Sequence, residues 1–404
     1  MKHLNLKQYK LAKSVLSVFL AFCVMLGSFG FLPTIFSYAE APEIWGGQSD
    51  LSAPTDSDND GIYEITKGAE LAYIIKNGAG GNSYILTKDI YLNDVSKVNW
   101  ETGVADSGYT VNPWYGNYES TPFSGKIDGN GHIVYGMYFN IGTSYGAYYN
   151  YTVGLIPAVD GAAEIKNLGV DKMFINYESF AAAFVGRAAA NSTISFDSCF
   201  VGQNVYIKAY SVGAFRGYAA GMVTTITNCY SLATMKPQGG EYGLAGYVWG
   251  ALNIANSFNG NGPLVSQIDD YYSTLIDSYE TVTGGVAGAT KLTADNMQGT
   301  DVFENAAKMP ALNANNVFKA QSGFPVLTVF QSLIETEPVL PPAPTGPEYW
   351  GGQSDLSAPT DSDNDGIYEI TKGAELAYII KNGAGGNSYI LTKDIYLNDV
   401  SKVN

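Results

Sequence analysis

One short stretch of the chain carries side chains that suit a metal ion. Asp56-Ser-Asp-Asn-Asp-Gly61 sets carboxylates at alternate positions and ends on glycine, and the same six residues return as Asp361 to Gly366. Ca²⁺ loops use this pattern, oxygen ligands at alternate positions and a glycine for the sharp turn. The ligands read from the spacing are Asp56, Asp58, Asp60, the carbonyl of Ile62, and Glu64. In the second copy they are Asp361, Asp363, Asp365, Ile367 and Glu369. Lys67 stands where an EF-hand has its bidentate Glu, and no helical pattern precedes the loop. Such a Ca²⁺ would be structural and weakly held. The competing reading is a solvated acidic loop.

Other chemistry-bearing residues are sparse. The only arginines, Arg187 and Arg216, lie 29 apart, with Asp160, Glu164, Asp171 and Asp197 as the nearby acids. A polysaccharide lyase needs a base beside acids that hold Ca²⁺, and a glycosidase needs two carboxylates flanking one bond. None of these acids forms a repeated or paired spacing, so no catalytic residue is assigned. His132 and Asp128 read as turn residues. Asp269 and Asp270 are adjacent, so in a strand they would point to opposite faces. Cys199 and Cys229 are 30 apart. Stacked one above the other at about 4.8 Å, they are within reach of a disulfide. The alternative is two small buried side chains. Tyr109, Tyr115, Tyr118, Tyr145, Tyr148, Tyr149 and Tyr151 crowd one Gly- and Asn-rich region. They serve either sugar stacking or strand packing.

The elements that must position these groups are repeats. Val153-Gly-Leu-Ile, Ala183-Phe-Val-Gly, Gly213-Ala-Phe-Arg and Gly243-Leu-Ala-Gly follow one another, and Gly154, Ala183, Gly213 and Gly243 are spaced 29, 30 and 30 apart. A second echo runs Ile165-Lys-Asn-Leu, Ile194-Ser-Phe-Asp, Ile226-Thr-Asn-Cys and Ile254-Ala-Asn-Ser. A period in this range means units that cannot bury their own apolar face and must stack on a copy. Cys199 and Cys229 then align, as do Phe200, Tyr230 and Phe258. Asn167, Asn228 and Asn256 align as a corner ladder that Phe196 interrupts.

A larger repeat contains the smaller one. Trp45 to Asn99 recurs without change as Trp350 to Asn404, offset by 305 residues. The second copy stops where the first continues into Trp100, as the start of a further module cut short would. The organisation expected is a signal peptide at 1–39, an N-terminal cap and lead-in at 42–152, and repeats at 153–262. A C-terminal cap at 263–337, a Pro-rich linker at 338–347 and the start of a second module at 348–404 complete it. The signal rests on Lys2, Lys7, Lys10 and Lys13 before an apolar run and a small-residue cleavage site. Glu64 to Asn77 reads as a helix stopped by Gly78, and Ser83–Leu92 and Ile133–Phe139 read as strands.

Composition agrees with an exported β protein. Of 404 residues 46 are Gly and 30 Tyr, and the net charge is −16. Glycine turns and aromatic strands favour an all-β fold. The acidity argues against nucleic acid. No second apolar run follows the signal, so no membrane span is expected in the mature chain.

Gly243-Leu-Ala-Gly246, Val153-Gly-Leu-Ile-Pro157 and the Ile-x-Asn echoes resemble the GLUG motif of bacterial surface proteins. Asp60-Gly-Ile-Tyr-Glu-Ile65, Leu86-Thr-Lys-Asp-Ile90 and Phe123-Ser-Gly-Lys-Ile-Asp-Gly-Asn-Gly-His132 are similar to the usual lead-in. The resemblance spans roughly residues 45–335 and implies a right-handed parallel β-helix on exported, adhesin-like proteins. The motif also occurs beside immunoglobulin-A-cleaving metallopeptidases, but their HExxH zinc site has no counterpart here. The fold expected is thus all-β, a right-handed parallel β-helix or solenoid with a small helix-containing N-terminal cap. The function expected is non-catalytic adhesion or extracellular scaffolding by a secreted or wall-associated, Gram-positive-type protein. Its partner would be a host or environmental glycan or surface protein. The alternatives are a carbohydrate-binding module of a larger exported enzyme and a polysaccharide-degrading enzyme.

Overall fold

The computed structural model describes residues 42–116, 119–141, 151–267, 273–281, 287–313, 316–334, 350–352, 354–361, 366–395 and 397. At 220–222 the backbone alone is described. The signal segment, the Pro-rich linker, Tyr118, Tyr145, Tyr148, Tyr149, Asp269, Asp270, Asp363 and Asp365 lie outside these residues. The chain divides into two units, Met1–Ile334 and Glu335–Asn404. Among the described residues no helix is long and apolar enough to cross a membrane.

In the first unit the elements that matter most are β1 (Ile62–Ile65), α1 (Gly68–Asn77), β2 (Ser83–Leu86), β3 (Phe123–Tyr135), β4 (Ile156–Asp171), β5 (Val185–Ala188), β6 (Thr193–Asp197), β7 (Ser211–Thr227) and β8 (Tyr242–Ala255). The strands belong to one 17-stranded sheet. Its ladders are parallel, and one column of partners runs Tyr63, Tyr84, Ile127, Ile165, Phe196, Ile226, Ile254 and Leu275. Apolar residue meets apolar residue at every step, which is how each segment buries a face it could not bury alone. A separate four-stranded sheet joins Tyr138–Asn140, Met173–Asn176, Val205–Ala209 and Thr234–Pro237.

The expected right-handed parallel β-helix is corrected here. Within the large sheet six strands close into a parallel barrel, and other strands bond outside it. Four strands show how the bonding turns back: β4 pairs with both β5 and β6, and each of these pairs with β7. The physical reason is strand length. The sequence suggested short strands broken at Gly and Asn corners. Instead β4 and β7 run for 16 and 17 residues. Each therefore bonds to two shorter strands in succession, and the hydrogen bonding returns on itself.

Register differs from the sequence alignment in two places. Phe196, not Ile194, stands opposite Ile165 and Ile226, while Ile194 pairs Ala163 and Thr224. Ala182, not Ala183, stands opposite Gly213. Side chains repeat every second residue along a strand, so Ile194 and Phe196 share a face, and both are buried. Hydrophobicity cannot separate registers that differ by two.

The helix is real but shorter than expected. Residues 62–65 pair with 83–86 as strands, and α1 begins at Gly68. Glu70 reaches back to accept from the Thr66 amide at 2.6 Å and its hydroxyl at 2.9 Å, holding the first turn. A Cβ at Gly68 would sit 2.6 Å from the Trp45 Cβ, so the helix start needs glycine. Leu71, Ala72, Ile74 and Ile75 enter the main core with Trp45, Leu86 and Trp114. At the other end a 3-10 turn, Ala294–Met297, starts at Thr293, whose hydroxyl accepts from Asn296 N–H at 3.3 Å. Within the C-terminal cap two short strands, Phe318–Lys319 and Val326–Leu327, pair antiparallel.

Candidate functional site

The acidic loop lies between Thr55 and β1. Glu64 in β1 donates its amide to the Thr55 carbonyl at 2.8 Å, which closes the loop at its base. Asn59 and Gly61 take left-handed φ values of 61° and 87° and turn the chain sharply. Asp56 accepts from the amides of Asp60 at 3.1 Å and Gly61 at 3.0 Å. Glu64 accepts from Ser57 N–H at 3.0 Å.

This folding brings Asp56, Asp58 and Glu64 together, with one carboxylate oxygen from each within 4.8 Å of the others. Ca²⁺–oxygen distances are about 2.3–2.6 Å, so two ligands of one ion lie no more than about 5 Å apart. The three carboxylates fit that limit. Asp60 is not in the cluster: its carboxylate accepts from the Ile62 amide at 2.8 Å. Ile62 heads β1 beside Ser83. In the second unit the Gly366 amide donates to Asp361 at 3.1 Å, as Gly61 does to Asp56. Glu369 again bonds back to residue 360, with 2.9 Å from its amide to the Thr360 carbonyl.

Cys199 and Cys229 do meet, as free thiols in hydrogen bonds. The Cys199 amide donates to the Cys229 sulfur at 3.4 Å, and the Cys229 amide to the Ser257 hydroxyl at 3.0 Å. The Ser257 amide donates in turn to Ser278 at 3.3 Å. Each side chain donates to the carbonyl two residues back: Cys229 to Thr227 at 3.0 Å, Ser257 to Ala255 and Ser278 to Ile276 at 2.8 Å. The cysteines thus act as serine does one step along. Burial, then the neighbouring Cys199, pushes the Cys229 thiol well up. Ser257 falls in line with the cysteines in the sequence repeat; Ser278 extends the column, and Asn-Cys-Tyr, Asn-Ser-Phe and Asp-Ser-Tyr carry the shared signal.

Before each of these stands a left-handed residue: Ser198, Asn228, Asn256 and Asp277, at φ 52°, 54°, 47° and 46°. Asn256 donates to Asn228 and Asn228 to Asp197, both at 2.7 Å. The ladder thus runs from Asn256 through Asn228 to Asp197, while Asn167 donates to Asp128 at 3.0 Å. Ser198, not Phe196, occupies the corner, and Asp197 supplies the acceptor.

The arginines part company. Arg216 lies opposite Val185 and Ala245 and is fully buried, while Arg187 lies opposite Ala158 and Tyr218. Arg216 Nη1 donates to Thr224 Oγ1 at 2.8 Å, but among the described residues its Nε and Nη2 have no partner. Burial pushes its pKa down to about 9. Of the acids, Glu164 pairs with Lys126 at 3.0 Å, Asp197 serves the ladder, and Asp171 accepts from Asn204. Asp128 caps its bulge through the Asn130 amide at 2.8 Å, and His132 Nδ1 faces Asp89 at 3.3 Å. Among the tyrosines, Tyr115 is buried, donates to the Gln48 carbonyl at 3.0 Å, and is pushed up to about 12 by burial and by Glu119 and Asp50. The Tyr109 hydroxyl is 3.3 Å from Asn93 Oδ1. These two serve packing.

No family model matches the chain. No curated protein matches it either. Among solved structures, a candidate immunoglobulin A1 protease from Bacteroides ovatus is similar at 14% identity and a TM-score of 0.36, over 72% of this chain and 99% of that one.

Proposed function

We propose that this chain is a non-catalytic extracellular protein of the GLUG type, working in adhesion or as a surface scaffold. What supports the reading is repetition at two scales. Segments of about thirty residues pair in parallel register through the first unit, as Phe196, Ile226 and Ile254 do. The stretch 45–99 then returns unchanged at 350–404. Repetition of a binding unit multiplies weak contacts without any reaction. The buried Arg216 supports it too, since it is in no position to touch a substrate.

In the same reading Asp56, Asp58 and Glu64 hold a structural Ca²⁺ with the Ile62 carbonyl, and the second copy does likewise. Affinity is expected at about 10⁻⁴–10⁻³ M, as in extracellular modules. Calorimetric Ca²⁺ titration of the full chain tests it: Asp58→Ala together with Asp363→Ala should abolish the heat, and a heat that survives both rejects the site. For adhesion, beads coated with the full chain should stay on glycan- or protein-coated surfaces under flow, increasingly so at higher coating density. Release of new reducing ends from a polysaccharide by the chain would instead make it an enzyme.

A further inference from the structure

A cleft of about 340 Å³ lies beside the ring column that begins at Phe200. Phe200, Tyr230 and Phe258 stack with centroids 5.2 and 5.0 Å apart and planes within 11° and 3°. Phe324 continues the stack 6.1 Å from Phe258. Phe200, Tyr230 and Phe324 are among the residues that line the cleft, and Asp171, Gln203 and Asn204 supply polar groups. Asn204 donates from its amide N–H and its side chain to Asp171, both at 3.1 Å, so the carboxylate is held in place with lone pairs to spare.

Tyr230 is the telling residue. Its side chain is 2% exposed, and its hydroxyl has no hydrogen-bond partner among the described residues. The hydroxyl is nonetheless not one of the sealed, unpartnered polar atoms, so it opens into the cleft that the residue lines. Buried hydroxyls are almost always paired, and here the partner must come from the cleft. The ligand's chemistry follows from the lining. Phe324, half-buried at the end of the stack, can accept the C–H side of a sugar ring, while amides, a carboxylate and the Tyr230 phenol match its hydroxyls. No Lys, Arg or His lines the cleft, and the chain is strongly acidic, so an anionic ligand is disfavoured. The volume is at the small end of ligand sites, about 300–1,000 Å³.

We propose that this cleft binds a single neutral pyranose unit of a glycan, with Tyr230 donating or accepting one hydrogen bond and Asp171, Gln203 and Asn204 holding further hydroxyls. The choice of a glycan as the natural carrier of that unit rests on the extracellular reading above; the cleft itself does not. Saturation-transfer NMR on the full chain tests it. The probes are methyl glucoside, methyl galactoside, methyl mannoside and N-acetylglucosamine, with tetramethylammonium and glucuronate as charged controls. At least one neutral sugar should receive saturation. Tyr230→Phe keeps the ring stack, and Gln203→Ala alters an exposed side chain; each should weaken binding about fivefold, the worth of one neutral hydrogen bond. Melting curves check that each variant folds, and either one suffices. No transfer to any neutral sugar overturns the proposal, as does transfer unchanged in a folded variant, or transfer to tetramethylammonium alone. Bead retention, measured in parallel, separates the two ideas: retention without sugar transfer removes the cleft and leaves adhesion standing.

Discussion

Cys229 shows what one buried atom is asked to do. Its sulfur accepts from one amide and donates to a carbonyl, and the next position in the column does the same work with a serine oxygen. Cys229→Ser should therefore fold with a stability change within about 1 kcal/mol, whereas Cys229→Ala strands a buried amide and a carbonyl and should cost about 1–3 kcal/mol. Urea melts compare the two. Glu280 gives a pH dependence. It is fully buried, its Oε2 accepts from the Leu264 amide at 2.9 Å, and among the described residues its Oε1 has no partner. Burial raises its pKa above the ordinary 4.5, against the lowering pull of that amide and of Lys291. The folded state thus holds the proton more tightly than the unfolded chain. The contribution of Glu280 to stability should be full below the ordinary carboxylate value and be lost as pH rises through the raised one. Glu280→Gln should flatten that fall, and melting temperatures between pH 4 and 8, roughly the carboxylate-to-neutral window, check it. A wild-type curve without the fall would reject the assignment. Arg216 is the third case. A charge buried with one hydrogen bond costs stability, so Arg216→Met should stabilise by about 1–4 kcal/mol.

At the scale of elements, the corners decide where each strand ends. Asn228 does two jobs: it holds a left-handed φ of 54° and links Asn256 to Asp197. Asn228→Gly keeps the backbone and loses the ladder, costing about 1 kcal/mol. Asn228→Ala loses both and should cost about 1–2 kcal/mol more, since a Cβ disfavours the left-handed region. Equal costs in a chemical melt would mean that the side-chain ladder and not the backbone sets the corner. The thirty-residue period, the helix before Gly78, and the acidic loop were legible because each depends on neighbours in sequence. The alignment of Ile194 with Ile165 misled for an equally physical reason. A slip of two residues leaves the same side chains facing inward, and in the register adopted Phe196 packs against Phe184 and Phe215 at centroids 5.7 and 5.3 Å. The ring closure was hidden as well, because it depends on how far β4 and β7 continue past their glycines.

At the scale of the molecule, the two verbatim copies make a natural experiment. Residues 68–77 and 373–382 form the same helix, and strands 62–65 and 367–370 take the same parallel partner. Ile75 is 1% exposed, yet its twin Ile380 is 75% exposed. Ile75→Asp should destabilise the first unit by more than about 3 kcal/mol, while Ile380→Asp should stay within about 0.5 kcal/mol. Urea unfolding of the full chain measures both, and equal effects would refute the difference in burial. The local sequence by itself determined the helix and the aspartate loop, since their hydrogen bonds are complete within a few residues, and the spacing of the repeats can be counted directly along the chain. Which face is covered, which register the ladders adopt and whether the sheet closes were decided only by tertiary structure. Those outcomes depend on surfaces brought in from distant positions, and two identical stretches with different surroundings cannot share them.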